Sequence, residues 1–182
     1  GIIGLHLNKL LHLDNFDAND EYKEAYEATV GNGRFFLYDH WGSLEGDKLV
    51  GHIRYMAKSL DVEYIVLDHI SIVISGSSEG DERRMIDNLM TKLRALVEEC
   101  KIGVILVSHL KRPEGRGHED GATTSVAQLR GSAGIAQLSD MVIGLERNQQ
   151  DEENRNITSV RVLKNRFSGD TGVACNLRWQ SE

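Results

Sequence analysis

Two apolar runs joined by a helical pattern constrain the fold of this chain more than any other feature. Residues 64–74 and 103–110 are largely apolar and rich in branched side chains, which is typical of strands buried on both faces of a parallel sheet. Between them, over residues 79–100, apolar side chains recur every three or four positions, as on one face of an amphipathic helix. A strand, a helix and a second parallel strand make the repeating unit of an α/β fold.

The rest of the chain extends this unit into one domain. With 182 residues and 40% hydrophobic composition, the chain can bury one sizeable core. The last two strands read as a hairpin, so we predict a parallel-sheet core flanked by helices and ending in a β-hairpin. The periodicity and the turn residues predict helices at 1–13, 18–30, 45–60 and 132–139, strands at 34–38, 141–146, 157–166 and 172–179, and loops at 111–124 and 148–156.

Composition limits the functions open to the protein. A formal net charge of -7 argues against a general nucleic-acid coat, so any nucleic-acid contact must be local. Cys100 and Cys175 lack metal-like spacing and read as reduced thiols of a cytoplasmic protein, and the histidines form no zinc pattern. No apolar run approaches the roughly 20 residues of a membrane span, so we expect no membrane contact.

Polar side chains follow the two central strands. Asp68 ends the first strand and Ser108-His109 ends the second, and the carboxyl ends of parallel strands meet at the edge where open α/β sheets bind ligands. Asp39, which closes the shorter run at 34–38, is a second choice for the same role. Taken alone, Asp68 reads equally well as a turn residue. Its strand is longer than the run before Asp39 and is followed by a long helix, which favours a ligand site at Asp68.

Positive charge is concentrated in and after the long loop. Cations there could hold a phosphodiester backbone, although acidic neighbours in the same loop fit a solvated surface about equally well. These cations are Lys111, Arg112, Arg116 and Arg130.

Residues 164–172 read Lys-Asn-Arg-Phe-Ser-Gly-Asp-Thr-Gly, two cations and a tight polar turn after an apolar run. Together with the strand ending at Asp68, the Ser108-His109 tip and Leu-Arg-Gly-Ser over 129–132, this segment resembles the ring-shaped replicative DNA helicases, the DnaB-like branch of the RecA superfamily. The likeness is greatest to the motor domain of the phage primase-helicase and Twinkle group, and covers the C-terminal part of that domain.

The resemblance implies a RecA-like fold and a role for each candidate residue. Asp68 would orient Mg²⁺ through its waters, Ser108 and His109 would sense the terminal phosphate of a nucleoside triphosphate (ATP or dTTP), and Arg166 would be an arginine finger that reaches a neighbouring subunit. The remaining assignments are nucleotide contacts by Arg147 and Lys164, base stacking by Trp179, and binding of single-stranded DNA by Lys111, Arg112, Arg116 and Arg130.

The same resemblance implies partners and a missing part. The partners would be single-stranded DNA, further copies in a hexameric ring, and replication proteins such as primase and polymerase, in the cytoplasm of the cell or phage host. The sequence contains no G-x-x-x-x-G-K-[ST] phosphate loop, and in the resembling family this loop, its strand and the catalytic Glu precede the position of Gly1. We therefore expect a chain truncated at its N-terminus, with an open edge or a gap in the sheet and negligible hydrolysis on its own. A RecA-like recombinase, or a non-catalytic ring or adaptor module, stays open as an alternative.

Overall fold

A computed structural model describes residues 2–9, 11, 19–38, 46–73, 79–111, 115, 117–129 and 133–179. The chain groups into two compact units, Gly1–Trp41 and Gly42–Glu182. The prediction that the chain works as one domain stays a prediction. Among the described residues, no helix is long and apolar enough to cross a membrane.

The first unit contains two helices, α1 (Ile2–Leu7) and α2 (Asp20–Thr29). Asn19 caps α2, because its side chain accepts a hydrogen bond at 3.0 Å from the backbone N–H of Tyr22. The predicted helix at 18–30 is confirmed within one or two residues at each end. The one predicted at 1–13 is shorter, and its last part lies outside the described residues.

The second unit is built on the expected strand, helix and strand. After α3 (Gly46–Ser59), strand β1 (Tyr64–Leu67) leads into a 3-10 helix (Ile70–Val73) and then into α4 (Glu79–Cys100). Strand β2 (Gly103–Leu106) pairs in parallel with β1, from Tyr64 opposite Gly103 to Leu67 opposite Leu106. The α/β class predicted from the sequence is confirmed.

Helix α4 supplies more of the buried core than any other element. Its apolar face packs between α3 and α5 (Ala133–Leu138) and over the parallel strands. Burial of this face explains why the spacing of three and four residues predicted α4 well. The fully buried side chains of this core are Ile53, Ile70, Ile86, Leu89 and Leu96.

Three further strands form a second sheet. Strands β3 (Met141–Glu146), β4 (Ile157–Asn165) and β5 (Gly172–Arg178) are antiparallel neighbours in that order. The closing hairpin is therefore confirmed. In the described residues this sheet is separate from the β1–β2 pair, so the chain has two sheets where the sequence predicts one parallel core with a gap.

Two strand predictions were wrong in detail. Residues 35–38 form no strand, and Leu37 is 85% exposed, because no described strand lies beside them to pair with their backbone. The run at 64–74 gives only four strand residues before the 3-10 helix, and it is not buried on both faces. Tyr64 and Val66 are 70% and 65% exposed, since the described helices cover only the opposite face of the strand pair.

A partly buried carboxylate anchors the end of the long loop to the antiparallel sheet. Glu146 Oε1 accepts hydrogen bonds from the backbone N–H of Thr124 (2.7 Å), from the Thr124 hydroxyl (2.8 Å) and from Arg161 Nε (2.8 Å). The loop lies so close to the sheet that a Cβ at Gly144 would come within 2.2 Å of Thr124 Oγ1. Burial by itself raises the pKa of Glu146, but the donors from Arg161 and Thr124 outweigh it and the pKa is lowered.

This lowered pKa predicts a pH-dependent contribution to stability. At pH 7 the substitution Glu146→Gln should cost about 1–2 kcal/mol of unfolding free energy, because it leaves the partly buried Arg161 without its counter-charge. The folded pKa lies below the unfolded one, so this contribution is complete above about pH 4.5 and is lost as the pH falls through the folded pKa. Urea denaturation of wild type and variant between pH 7 and pH 3 should show the difference shrinking. The matched control, the exposed Glu152→Gln, should have the stability of wild type at every pH. A stability difference between wild type and Glu146→Gln that stayed constant with pH would contradict the ion pair.

Candidate functional site

The ends of β1 and β2 bring two sequence-predicted segments side by side. The backbone N–H of Val107 donates to the carbonyl of Leu67 at 2.9 Å, and that of Ile70 donates to the carbonyl of Val107 at 3.0 Å. These bonds extend the parallel pairing past both strands. Asp68 therefore lies beside Ser108 and His109 at the carboxyl edge, as the sequence predicts.

A second histidine joins this edge. The rings of His69 and His109 meet edge to face, with centroids 4.5 Å apart. His69 Nδ1 is buried and has no hydrogen-bond partner among the described residues, and the Asp68–His69 peptide bond is cis. Sequence reasoning missed His69, although the pairing of Asp-His at one strand end with Ser-His at the next was the available signal.

The side chains at this edge fit a Mg²⁺ ion whose remaining ligands are waters and substrate phosphates. Asp68 is exposed and offers a carboxylate, the hard oxygen ligand that Mg²⁺ prefers. Within the described residues, no three or more His, Cys, Asp or Glu side chains gather into a metal cage. Such an edge suits a Mg²⁺ that keeps several waters and is completed by substrate phosphates.

Arg166 is held in a three-residue ion-pair cluster. Its Nη1 lies 3.0 Å from Asp140 Oδ1, while Arg94 Nη1 of α4 lies 2.6 Å from Asp140 Oδ2. The backbone adds a bond from the N–H of Arg166 to the carbonyl of Asp140 at 2.8 Å. Donation from Arg94, followed by that from Arg166, lowers the pKa of Asp140, so the carboxylate is charged at neutral pH. Neither Arg94 nor Asp140 was predicted from the sequence.

The turn after Arg166 is ordered by its own side chains. Asn165 Oδ1 accepts the backbone N–H of Phe167 at 3.0 Å, and Asn165 Nδ2 donates to Ser168 Oγ at 2.8 Å. Gly169 has a φ of +79°, a left-handed conformation that glycine adopts without steric cost. The tight polar turn read from the sequence is therefore present in the structure.

Lys164 binds the end of a helix. Its ammonium donates to three backbone carbonyls at the C-terminus of α5, those of Ala136 (2.7 Å), Gln137 (3.1 Å) and Ser139 (2.8 Å). A cation there satisfies carbonyls that lack helical partners and complements the helix dipole. To contact a phosphate, Lys164 would first have to leave these carbonyls.

Arg147 and Trp179 lie together at the other end of the antiparallel sheet. Arg147 Nε donates to the carbonyl of Arg155, and the backbone N–H of Trp179 donates to the carbonyl of Asn156 at 2.7 Å. The indole is 48% exposed. Two residues predicted to contact one nucleotide are therefore neighbours.

Lys111 is the one DNA-contact candidate within the described residues. Its backbone N–H donates to the carbonyl of Gln128 at 2.7 Å, and Leu110 bridges to Leu129. The long loop thus returns to its starting point, and Lys111 lies next to the segment that leads to residue 130. The other candidates, Arg112, Arg116 and Arg130, and the alternative Asp39, lie outside the described residues.

Comparison with known proteins decides the family. The family model of the DnaB-like helicase C-terminal domain matches residues 8–182. The chain belongs to the DnaB-like helicase family. The resemblance read from the motifs is confirmed, and a helicase origin is favoured over a recombinase.

Relatives of this DnaB-like domain carry helicase names. The chain is 46% identical over 162 residues to the DNA helicase/primase of Enterobacteria phage T3, an alignment that covers 88% of the chain and 28% of the relative. It is 29% identical over 150 residues to the replicative DNA helicase DnaB of Geobacillus stearothermophilus, with 80% of the chain and 32% of the relative covered. The chain thus spans about a third or less of these relatives.

A solved structure supports the fold of the DnaB-like domain. A DnaB-like replicative helicase, described with its interactions with primase, superimposes with a TM-score of 0.70 over 92% of this chain and 40% of that one. At 18% identity this likeness shows the fold alone. The predicted RecA-like architecture agrees with it.

Proposed function

We propose that the whole protein is a replicative DNA helicase that couples nucleoside-triphosphate hydrolysis to movement along single-stranded DNA. The family assignment supports the class of protein. The observation that carries the proposal is the edge where Asp68 lies beside Ser108 and His109, because a metal-orienting carboxylate and phosphate-sensing donors belong at one site.

Each residue of this edge has a chemical task. When Mg²⁺ bound to the nucleotide is present, it neutralises charge that develops on the phosphates. The Asp68 carboxylate would hold that ion, mainly through its waters, while Ser108 and His109 would donate hydrogen bonds to phosphate oxygens. These 182 residues contain no phosphate-loop motif, and the family resemblance places the catalytic Glu in the same missing part. In this proposal the rest of the whole protein supplies both, and this chain alone has negligible activity.

Arg166 lies far from the carboxyl edge that carries Asp68 and would not reach a nucleotide bound there. In a strand-helix-strand unit the helix runs back from the carboxyl end of the first strand to the amino end of the second. Arg94 is in the last two turns of α4, about 20 Å along the helix axis from its start. The Arg94–Asp140–Arg166 cluster is therefore near the amino edge, away from Asp68. This separation supports an arginine finger that acts on a neighbouring subunit, as in a ring, for which we propose a hexamer.

The opposite end of the antiparallel sheet suits the nucleotide of the chain's own site. Asp140 precedes β3 and Arg147 follows it, so in this proposal Arg147 and Trp179 would lie toward the edge that carries Asp68. Strand β4 separates them from Arg166 by nine residues, roughly 30 Å. Arg147 and Trp179 would thus contact the ribose or base of one nucleotide, and Arg166 and Lys164 would face another.

DNA contact is assigned to the loop edge. Lys111 and the loop cations Arg112, Arg116 and Arg130 would hold the phosphodiester backbone of single-stranded DNA in the ring channel, and binding should weaken with salt. Primase and polymerase are proposed partners in the host cytoplasm. The curated phage relative is named a helicase/primase, and the solved relative is described with primase.

The test is hydrolysis by the full-length protein with and without single-stranded DNA. We expect stimulation by DNA, unwinding of a forked duplex, and a Lys111→Ala variant with several-fold weaker stimulation. The matched control is Lys101→Ala, an exposed lysine that precedes β2 at the opposite edge. A hydrolysis rate that does not depend on DNA, together with no unwinding, would favour the alternative of a non-catalytic ring or adaptor module.

A further inference from the structure

We propose that Asp140 is the positioning residue that orients Arg166 toward the neighbouring subunit, with Arg94 of α4 as its anchor. The inference rests on the proposed role of Arg166 as an arginine finger. It adds to that role a link between the finger and the core helix of the domain.

The carboxylate of Asp140 is fixed on both oxygens. Oδ2 accepts from Arg94 at 2.6 Å and Oδ1 accepts from Arg166 at 3.0 Å. Arg94 is itself held by Glu98, one turn later on α4, at 2.8 Å. The finger is therefore tied through two ion pairs to the helix that contributes the largest share of the core.

The contact leaves Arg166 able to bind phosphate. Asp140 takes Nη1, while Nε and Nη2 have no hydrogen-bond partner among the described residues, and the side chain is 51% exposed. Because a guanidinium carries five N–H donors in a planar fork, the remaining donors can still meet two phosphate oxygens. A long side chain that is already ordered loses less conformational entropy when it reaches its target.

The chain also ties Asp140 to the segment assigned to DNA. Asp140 comes two residues after α5, and α5 directly follows the 130–132 segment. Lys164, two residues before Arg166, binds the carbonyls at the end of the same helix. A displacement of α5 would therefore move Asp140 and the strand end that carries Arg166 together.

The first test is Asp140→Asn in the full-length protein, which keeps the shape of the side chain and removes its charge. We expect kcat to fall about tenfold with little change in KM, since the nucleotide's own contacts are intact and only the order of the finger is lost. The matched control is Glu63→Gln, which removes an exposed carboxylate before β1 that pairs with neither arginine of the cluster. It should change kcat less than about twofold. An unchanged kcat in Asp140→Asn would overturn the proposal.

The second test separates positioning from general damage by mixing subunits. Subunits with Asp140→Asn keep an intact Asp68, and subunits with Asp68→Ala keep an intact Arg166 with its anchor. A fully active site takes Asp68 from one subunit and Arg166 from its neighbour. In equimolar mixed rings roughly a quarter of the sites combine the two intact halves, so hydrolysis without DNA should rise to about that share of the wild-type rate. A mixture no more active than the mean of the two parent rings would overturn the positioning role.

A second pair of variants separates the positioning role of Asp140 from the proposed role of Arg166 as an arginine finger. Mixing Arg166→Ala with Asp68→Ala should also restore about a quarter of the rate; failure of this pair would contradict a finger that acts across subunits. Success of this pair with failure of the Asp140→Asn pair would overturn only the positioning role. If Asp140→Asn does not fold, Arg94→Gln replaces it. Loss of the anchor should lower kcat, and mixing with Asp68→Ala should restore activity in the same way. A normal kcat in Arg94→Gln would equally overturn the proposal.

Discussion

Full-length protein carrying Arg166→Ala should hydrolyse its nucleotide at least about 1,000-fold more slowly than wild type, while the ring still assembles. An arginine finger stabilises charge on the transferred phosphate and contributes roughly 10³-fold or more to the rate. Arg166→Lys should recover little, because a lysine offers a point charge and lacks the planar fork that meets two oxygens. Steady-state hydrolysis and sedimentation of the same samples measure the two properties separately.

The control for this prediction is Arg84→Ala, an exposed arginine of α4 to which no phosphate contact is assigned. It should leave both turnover and assembly near wild type. Turnover in Arg166→Ala within a few-fold of wild type would reduce Arg166 to a structural partner of Asp140.

Asp68→Asn should lower hydrolysis by about 100-fold or more at low Mg²⁺. The amide keeps the size of the side chain but removes the charge that holds the metal, and metal stabilisation of the transition state is worth several kcal/mol. Raising the Mg²⁺ concentration should recover part of the loss. A titration of rate against Mg²⁺ at saturating nucleotide would show the midpoint shift to higher concentration.

Asp61→Asn is the matched control, because Asp61 is exposed and precedes β1 at the opposite end of the strand from Asp68. Asp61 has a φ of +53°, a conformation that asparagine also tolerates. We expect its Mg²⁺ dependence to match wild type. An equal effect of the two substitutions would point to general destabilisation of β1 instead of a metal role for Asp68.

Local patterns accounted for most of the helices and strands. The amphipathic period predicted α4 at its observed bounds, and the turn residues predicted the β4–β5 hairpin. The predictions failed where pairing decides the outcome. Residues 35–38 have the apolar composition of a strand, yet strand structure requires a neighbour whose backbone completes the hydrogen bonds.

The candidate site divides in the same way. Asp68, Ser108 and His109 could be read from the sequence because parallel strands bring their carboxyl ends to one edge. His69 shares that position at the strand end and could have been included, but its edge-to-face contact with His109 at 4.5 Å is seen only in the structure. Lys164 looked like a phosphate contact, and the structure shows its ammonium on the carbonyls of α5.

The sequence by itself determined the α/β class, the family and the strand ends that carry the chemistry, because these depend on periodicity and on residues close together in the chain. Only the tertiary structure decided how Arg166 is held. Its partner Asp140 is 26 residues away, and Arg94 lies a further 46 residues from Asp140. Contacts over such separations arise from the packing of α4 against the end of α5 and the residue before β3, and local patterns in the sequence do not reveal that packing.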